Sequence, residues 1–355
     1  MKVLIGFIMD LLFGDPAWIP HPIVLIGKSI SKCKNALQNF LYGCSYEQMM
    51  EKQRKEDSEK EDSVKDNSVN GDSAKENLAR NSKKEIACGG ILTAVIVGGT
   101  YLVTKGIVTI AKKIHPRFGD AIETFLIFQS LATKCLKQEA EKVYDKLKEE
   151  DLVGARVQVG YLVGRDTDQL SETEVAKATI ETVAENTADG VIAPMFYAAI
   201  GGAPLAMAYK AVNTLDSMVG YKNEEYQYLG RISAKMDDFW NFIPARLSAL
   251  AMIGGAKLAG YDEKEAVRIF KRDRYNHLSP NSAQTESVAA GALHIQLGGT
   301  HDYFGKPVEK PTIGDDIRPV EPEDIKRTNR LLYGAAVCFA AAISLVKAIR
   351  YLRRK

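Results

Sequence analysis

The chain has 355 residues, of which 26% are charged, and its formal net charge is only +2. Nucleic-acid-binding proteins usually concentrate basic residues on one face, so this balance predicts no nucleic-acid partner. The five cysteines include no CxxC pair, which argues against a zinc site and a disulfide framework. The mean hydropathy of −0.16 is that of a soluble protein, but it averages very different segments.

Residues 1–44 contain two short apolar stretches, at 3–9 and 19–26. Gly14-Asp15-Pro16 and Pro20-His21-Pro22 interrupt them. Each stretch is shorter than the roughly 20 residues that a membrane-spanning helix requires. We therefore predict one interrupted N-terminal membrane segment, a shape that survives where protein or water satisfies the backbone.

Residues 45–85 are the most polar part of the chain. Between 51 and 85 the larger aliphatic residues are Val64, Val69 and Leu78, among mixed Lys, Glu, Asp, Ser and Asn. Such a segment buries too little apolar surface to offset the entropy of ordering it, and we predict a disordered insert.

Residues 86–355 are predicted to form a helical membrane core with catalytic loops. Uncharged apolar runs occupy 86–104, 190–209, 247–256 and 331–346. Any one of them also suits a buried helix of a soluble protein. Several runs rich in Gly and Ala favour a multi-pass membrane protein instead. The predicted fold class is all-α, a multi-pass helical membrane protein with large polar helical loops.

The polar segments carry helix signals. Apolar residues at helical spacing predict an amphipathic helix over 120–147. Ser171 with Glu174 forms the pattern of a capping box at the start of another helix. Asp262 is the predicted cap of a helix over 263–270.

An acidic cluster lies directly before the apolar run at 190–209. Glu181 and Glu185 share a helical face, and Asp189 follows them. Carboxylates are costly at the mouth of a membrane segment, which favours a functional reading such as Mg²⁺ binding over a solvated helix face. Lys210 and Asp216 come after the run.

The remaining charged clusters are mainly basic. Arg246 interrupts an apolar stretch, so it needs an acidic partner or an anionic ligand. Arg272, Asp273 and His277 precede a Ser-Pro-Asn-Ser string at the start of a helix, which suits phosphate binding. A basic patch that faces anionic lipid is the alternative. No GxxxxGK[ST] loop is present, so a nucleotide site would not be of the P-loop type.

These strings together resemble the CobD/CbiB family of cobalamin biosynthesis proteins, the adenosylcobinamide-phosphate synthases. The resemblance covers essentially the whole chain outside 45–85 and is carried by several motifs in order. They are DLLFGDPxxxPHP at 10–22, ETVAENTADG at 181–190, KAVNTLDSMVGYK at 210–222, NFIPAR at 241–246, HxSPNS at 277–282 and KPTIGD at 310–315.

The resemblance implies a multi-pass enzyme of the cell membrane that joins adenosylcobyric acid, a corrinoid, to aminopropanol or aminopropanol phosphate through an amide bond. It is thus a carbon–nitrogen ligase with the lipid bilayer as its surroundings. A carboxylate does not condense with an amine in water unless it is activated, most simply by phosphoryl transfer from ATP. That step requires Mg²⁺ and cationic groups on the phosphates.

Matching this chemistry to the motifs gives three sets of predicted site residues. The metal ligands are Glu181, Glu185, Asp189 and Asp216. The groups that bind phosphate or substrate are Lys222, Arg246, Arg272, Ser279 and Asn281. The catalytic set is Lys210, Asp273 and His277, with His277 or Asp273 as the base towards the amine.

Two other functions compete with this one. A non-catalytic membrane scaffold or corrinoid transporter would use the polar loops as a docking surface. An AmpE-like membrane sensor shares parts of the pattern, but the HxSPNS and KPTIGD strings argue against it. The sequence leaves open whether the amine is phosphorylated and whether other corrin-pathway enzymes are partners.

Overall fold

A computed structural model describes residues 1–16, 18–44, 46, 48–49, 51, 71–303 and 305–353, with the backbone alone at 71–81, 301–303 and 306. The structure is 75% helical with almost no strands, which confirms the all-α prediction.

The helices follow one another with short connections. The first six are α1 (Lys2–Phe13), α2 (Pro22–Tyr42), α3 (Gly71–Ile114), α4 (Pro116–Phe128), α5 (Thr133–Lys148) and α6 (Leu152–Gly160). Then come α7 (Glu172–Asn186), a π-helical turn (Thr187–Ile192), α8 (Ala193–Val219), α9 (Arg231–Leu258), α10 (Glu263–Asp273), α11 (Ser282–Leu293) and α12 (Glu323–Leu352).

Four short strands lie between α11 and α12, in a segment without a sequence signal for them. They are β1 (Leu297–Gly298), β2 (His301–Tyr303), β3 (Lys306–Val308) and β4 (Thr312–Ile313). β1 pairs with β4 and β2 with β3, both antiparallel. Strands this short carry too few residues for an alternating apolar pattern.

The structure corrects two of the predictions for particular segments. Residues 71–85, predicted as part of the disordered insert, are the first turns of α3, while 52–70 lie outside the described residues. The single helix predicted over 120–147 is instead α4 and α5. The chain restarts there because the Asp10 carboxylate accepts the N–H of Thr133 at 2.9 Å, which caps α5 from a distance.

The chain divides into two compact units. The first comprises Met1–Ile19, Thr104–Tyr209 and Asp238–Lys355, and the second comprises Pro20–Val103 and Lys210–Asp237. α1 and α2 therefore fall in different units, so the predicted N-terminal segment 1–44 is not one compact unit. The first unit has a large core rich in alanine and small apolar side chains. The second has a smaller core that includes Ile30, Leu92 and Leu215.

Three helical stretches of the described chain are long and apolar enough to cross a membrane: Ser82–Ile114, Glu172–Val219 and Glu323–Leu352. In the first and third, only 28% of the apolar window is buried inside the protein, which leaves most of it for lipid to cover. These stretches contain the predicted apolar runs at 86–104, 190–209 and 331–346. The shorter run at 247–256 lies within α9.

The predicted cap signals at two helices are confirmed. The Ser171 hydroxyl accepts the N–H of Glu174, and the Glu174 carboxylate accepts the N–H of Ser171, so the capping box of α7 is complete. Asp262 caps α10 by accepting the N–H groups of Lys264 and Glu265. The box matters for function because α7 carries Glu181 and Glu185.

Replacing Ser171 with alanine is expected to lower the free energy of unfolding by about 1 kcal/mol, because an N–H at the start of α7 loses its acceptor. Thermal unfolding of the purified protein in detergent measures the change. Ser344→Ala is the control, since the Ser344 hydroxyl only bonds a carbonyl within its own helix. Equal melting temperatures for the two variants would contradict the importance of the cap.

Candidate active site

Glu181 in α7 is held by two groups from distant loops. Its Oε2 lies 2.5 Å from a guanidinium nitrogen of Arg165, whose side chain is only 4% exposed. Its Oε1 accepts the N–H of Gly298, in β1, at 2.8 Å. A charged hydrogen bond and a backbone donor fix the carboxylate in one orientation. Glu181 is thus a rigid negative charge at the centre of the first unit.

Glu185 lies one turn further along α7 and faces the beginning of α11. Its Oε1 accepts the Ser282 hydroxyl at 2.6 Å. Because Ser282 begins α11 while Gly298, beyond the end of α11, binds Glu181, the two helices run in opposite directions. Glu286, one turn into α11, therefore projects towards the same carboxylates.

Electrostatics agree with this placement of Glu286, which is 4% exposed. Burial and the charges of Glu181 and Glu185 raise the pKa of Glu286 well above its usual value, while Lys310 and Arg165 act in the opposite direction. The site therefore contains three carboxyl groups close enough to influence one another.

His277 lies beside this group, in the loop before α11. Burial and Lys310 lower the pKa of His277, although Glu185 and Glu181 act to raise it. Its Nδ1 accepts the N–H of Ser279 at 2.9 Å. A neutral ring with Nδ1 as acceptor carries its proton on Nε2, so it offers a donor rather than a free lone pair. The arrangement suits donation to an anionic substrate better than the predicted role as base, which stays a prediction.

The predicted metal ligands do not assemble into a ready metal site. Within the described part of the chain, no group of three or more His, Cys, Asp or Glu side chains is placed to hold a metal ion. The oxygens of Glu181 already serve Arg165 and Gly298. Asp189 lies half-buried in the π-helical turn. The carboxylates therefore do not fit a preformed protein site for Mg²⁺, and that role stays a prediction.

Asp189 belongs to a backbone irregularity within the predicted ETVAENTADG motif. The π-helical turn Thr187–Ile192 joins α7 to α8. Such turns are rare and often occur at functional sites because they re-aim neighbouring side chains. Here the turn directly follows the helix that carries Glu181 and Glu185.

Arg246, Ser279 and Asn281 lie together in a second group, which fixes the loop before α11. A guanidinium nitrogen of Arg246 donates to Asn281 Oδ1 at 2.9 Å and to the carbonyl of Phe242 at 2.7 Å. The Asn281 amide donates to the carbonyl of Asp238 at 2.9 Å. Arg246 thus has neutral partners, whereas the sequence suggested an acidic partner or an anionic ligand. Because Ser282 follows Asn281 directly, this group orients the contact to Glu185.

Arg272 and Asp273 form a third group at the end of α10. The guanidinium donates to both oxygens of Asp273, at 2.6 and 2.8 Å, and to Asp315 at 2.6 Å. The N–H of Gly314 also donates to Asp273, at 2.7 Å. Burial acts to raise the pKa of Asp273, but the bonds from Arg272 and Gly314 outweigh it and lower the pKa. A carboxylate held in this way suits a structural role better than that of a base.

The other three predicted residues, Lys210, Asp216 and Lys222, belong to the second unit. Lys210 is buried, Asp216 is half-buried and Lys222 is exposed. Their predicted catalytic, metal-binding and phosphate-binding roles stay predictions.

The family model described as CobD/Cbib protein matches residues 67–332. The chain belongs to the CobD/CbiB family. Similar relatives include cobalamin biosynthesis protein CbiB of Salmonella choleraesuis, 43% identical over 94% of this chain and 92% of the relative. Cobalamin biosynthesis protein CobD of Clostridium perfringens is 44% identical over 94% and 93%. CobD of Citrobacter koseri is 42% identical over 98% and 96%. No solved structure matches the chain.

Sequence reasoning gave no role to three residues that this CobD/CbiB chain places at the site: Arg165, Glu286 and Lys310. A signal for Glu286 is present in the sequence, because it is the one charged residue of the SAQTESVAAGAL helix. A lone carboxylate in an otherwise uncharged helix is expensive to bury and marks a candidate site. Arg165 has no comparable signal.

Proposed function

We propose that this chain is adenosylcobinamide-phosphate synthase, which joins adenosylcobyric acid to aminopropanol or aminopropanol phosphate through an amide bond. The proposal places it as a multi-pass protein of the cell membrane. Family membership supports the pathway, and the buried group of Glu181, Glu185 and Glu286 beside His277 and Lys310 supports the chemistry.

That buried group is the observation that carries the proposal. Ligation of an acid to an amine requires one environment for an anionic carboxylate and another for a cationic ammonium. Lys310 and the Nε2–H of His277 supply a cation and a neutral donor, which suit the acid and a phosphoryl group. The carboxylates on α7 and α11 supply the opposite charge only a few ångströms away along the same pair of helices.

ATP, as its Mg²⁺ complex, is the proposed co-substrate. When bound, it supplies a phosphoryl group that converts a carboxylate oxygen of the acid into a leaving group. The chain's own part is to bind and orient both reactants and to keep water away. α11 suits this part because all of its residues are buried.

The proposal is tested with purified full-length protein in detergent. It is supplied with adenosylcobyric acid and either aminopropanol or aminopropanol phosphate, with and without ATP, and the product is identified by mass. We expect an ATP-dependent amide with one of the two amines. A membrane scaffold or corrinoid transporter would give no amide under any of these conditions, and that result would overturn the proposal.

A further inference from the structure

Glu286 differs from every other charged group of the site in having no fixed partner. It is 4% exposed, within a helix whose residues are all buried. No N–H or O–H of the described residues donates to its carboxyl group. Burying a carboxyl group without a hydrogen bond is costly, so an incoming ligand is expected to complete its surroundings.

The direction of α7 relative to α11 puts Glu286 among other acceptors. Ser282 contacts Glu185 at the start of α11, and Gly298 contacts Glu181 after its end. Glu286 lies between these two contacts, on the face that Ser282 shares one turn earlier. The unpartnered carboxyl group therefore points towards Glu181 and Glu185.

The charges of this group favour a cation carrying one positive charge. Glu181, Glu185 and Glu286 supply three carboxylates, and Arg165 and Lys310 supply two cationic side chains that act on them. Three negative charges against two positive charges leave one negative charge when all are ionised. The raised pKa of Glu286 has the same origin, since the group lacks a cation that would stabilise its ionised form.

Two kinds of cation can be compared. A divalent metal ion needs several oxygen ligands at short and regular distances, and no group of three or more such side chains is placed for one in the described chain. An ammonium group needs only two or three acceptors at hydrogen-bond distance. The arrangement therefore suits an organic ammonium better than a metal ion.

We propose that Glu286, together with Glu185, binds the primary ammonium group of the amino alcohol. This inference rests on the proposed function for the identity of the amine. It assigns the carboxylates of α7 and α11 to the amine and leaves His277 and Lys310 to the acid. The amine would thus enter a site whose charge rejects anions and whose buried walls exclude water.

The test is calorimetric binding of 1-aminopropan-2-ol to the full-length protein in detergent, with no acid or ATP present. Wild-type protein is expected to bind the amine and to bind the neutral analogue 1,2-propanediol at least about tenfold more weakly, because the charged hydrogen bonds are lost. Glu286→Gln is expected to weaken amine binding by about tenfold or more and to leave propanediol binding unchanged.

Two further variants keep the result interpretable. Glu286→Asp retains the charge on a shorter side chain and is expected to lie between wild type and Glu286→Gln. Glu141→Gln is the matched control, because Glu141 pairs with Lys137 on the exposed face of α5, and it is expected to bind the amine like wild type. If Glu286→Gln does not fold, the comparison of amine with propanediol on wild-type protein still decides.

Three results would overturn the inference. Equal affinities of wild-type protein for amine and propanediol would exclude charge recognition. Unchanged amine binding in folded Glu286→Gln would exclude this residue. Loss of Mn²⁺ binding in that variant, with amine binding intact, would assign the site to a metal. Binding without turnover separates the two proposals: Glu286-dependent amine binding by a protein that forms no amide would refute the function and leave the inference standing.

Discussion

Arg165→Ala is expected to destabilise the first unit by about 3 kcal/mol and to abolish ligation. The variant leaves Glu181, whose side chain is 14% exposed, without the guanidinium that lies 2.5 Å from it. A carboxylate that loses its partner in a buried pair keeps its desolvation penalty and loses the compensating attraction. Thermal unfolding in detergent and amide formation measure the two effects.

The double variant Arg165→Ala/Glu181→Ala is the informative control, because it removes the orphaned charge as well. It should unfold at a higher temperature than Arg165→Ala alone. Arg268→Ala serves as the surface comparison, since Arg268 is 45% exposed where it pairs with Glu265, and about 1 kcal/mol or less is expected. Equal stability of Arg165→Ala and Arg268→Ala would contradict the role given to the buried pair.

Gly255→Ala is expected to lower the free energy of unfolding by about 1–3 kcal/mol, because α9 and α12 cross at this residue. A Cβ atom on Gly255 would lie 2.6 Å from the backbone N of Ala335 and 2.7 Å from the backbone C of Gly334. Backbone atoms cannot rotate away, so the helices must separate. Close crossings of this kind are typical of small residues in membrane helices.

The neighbouring Gly254→Ala provides the matched control for this crossing. Its Cβ would lie 3.2 Å from the Sγ of Cys338, a side-chain atom that can turn aside. We expect little loss of stability, or a small gain from replacing glycine within a helix. If the two alanine variants have the same melting temperature, the crossing is looser than the geometry implies.

Local features of this chain follow from the sequence because they depend on residues three or four positions apart. The capping box of Ser171 and Glu174, the Asp262 cap and the shared face of Glu181 and Glu185 are of this kind. The predicted all-α class follows from long uncharged runs with helical spacing between them.

Features that depend on distant contacts could not be predicted. Ser282 reaches Glu185 across 97 positions, and Gly298 reaches Glu181 across 117. The same holds for the break at Thr133, which depends on Asp10. Asp273 illustrates the limit best, because a base and a locked ion-pair partner have the same sequence pattern. Only the contacts with Arg272 and Gly314 distinguish the two.

The central claim is that this protein itself forms the amide by activating the acid with ATP. Adenosylcobyric acid labelled with oxygen-18 in its reacting carboxylate tests it most directly. Attack of the amine on the activated acid breaks the bond between the acyl carbon and the oxygen that carries the phosphoryl group. We therefore expect one labelled oxygen in the inorganic phosphate released with each amide. Amide formed without transfer of label to phosphate would contradict the account.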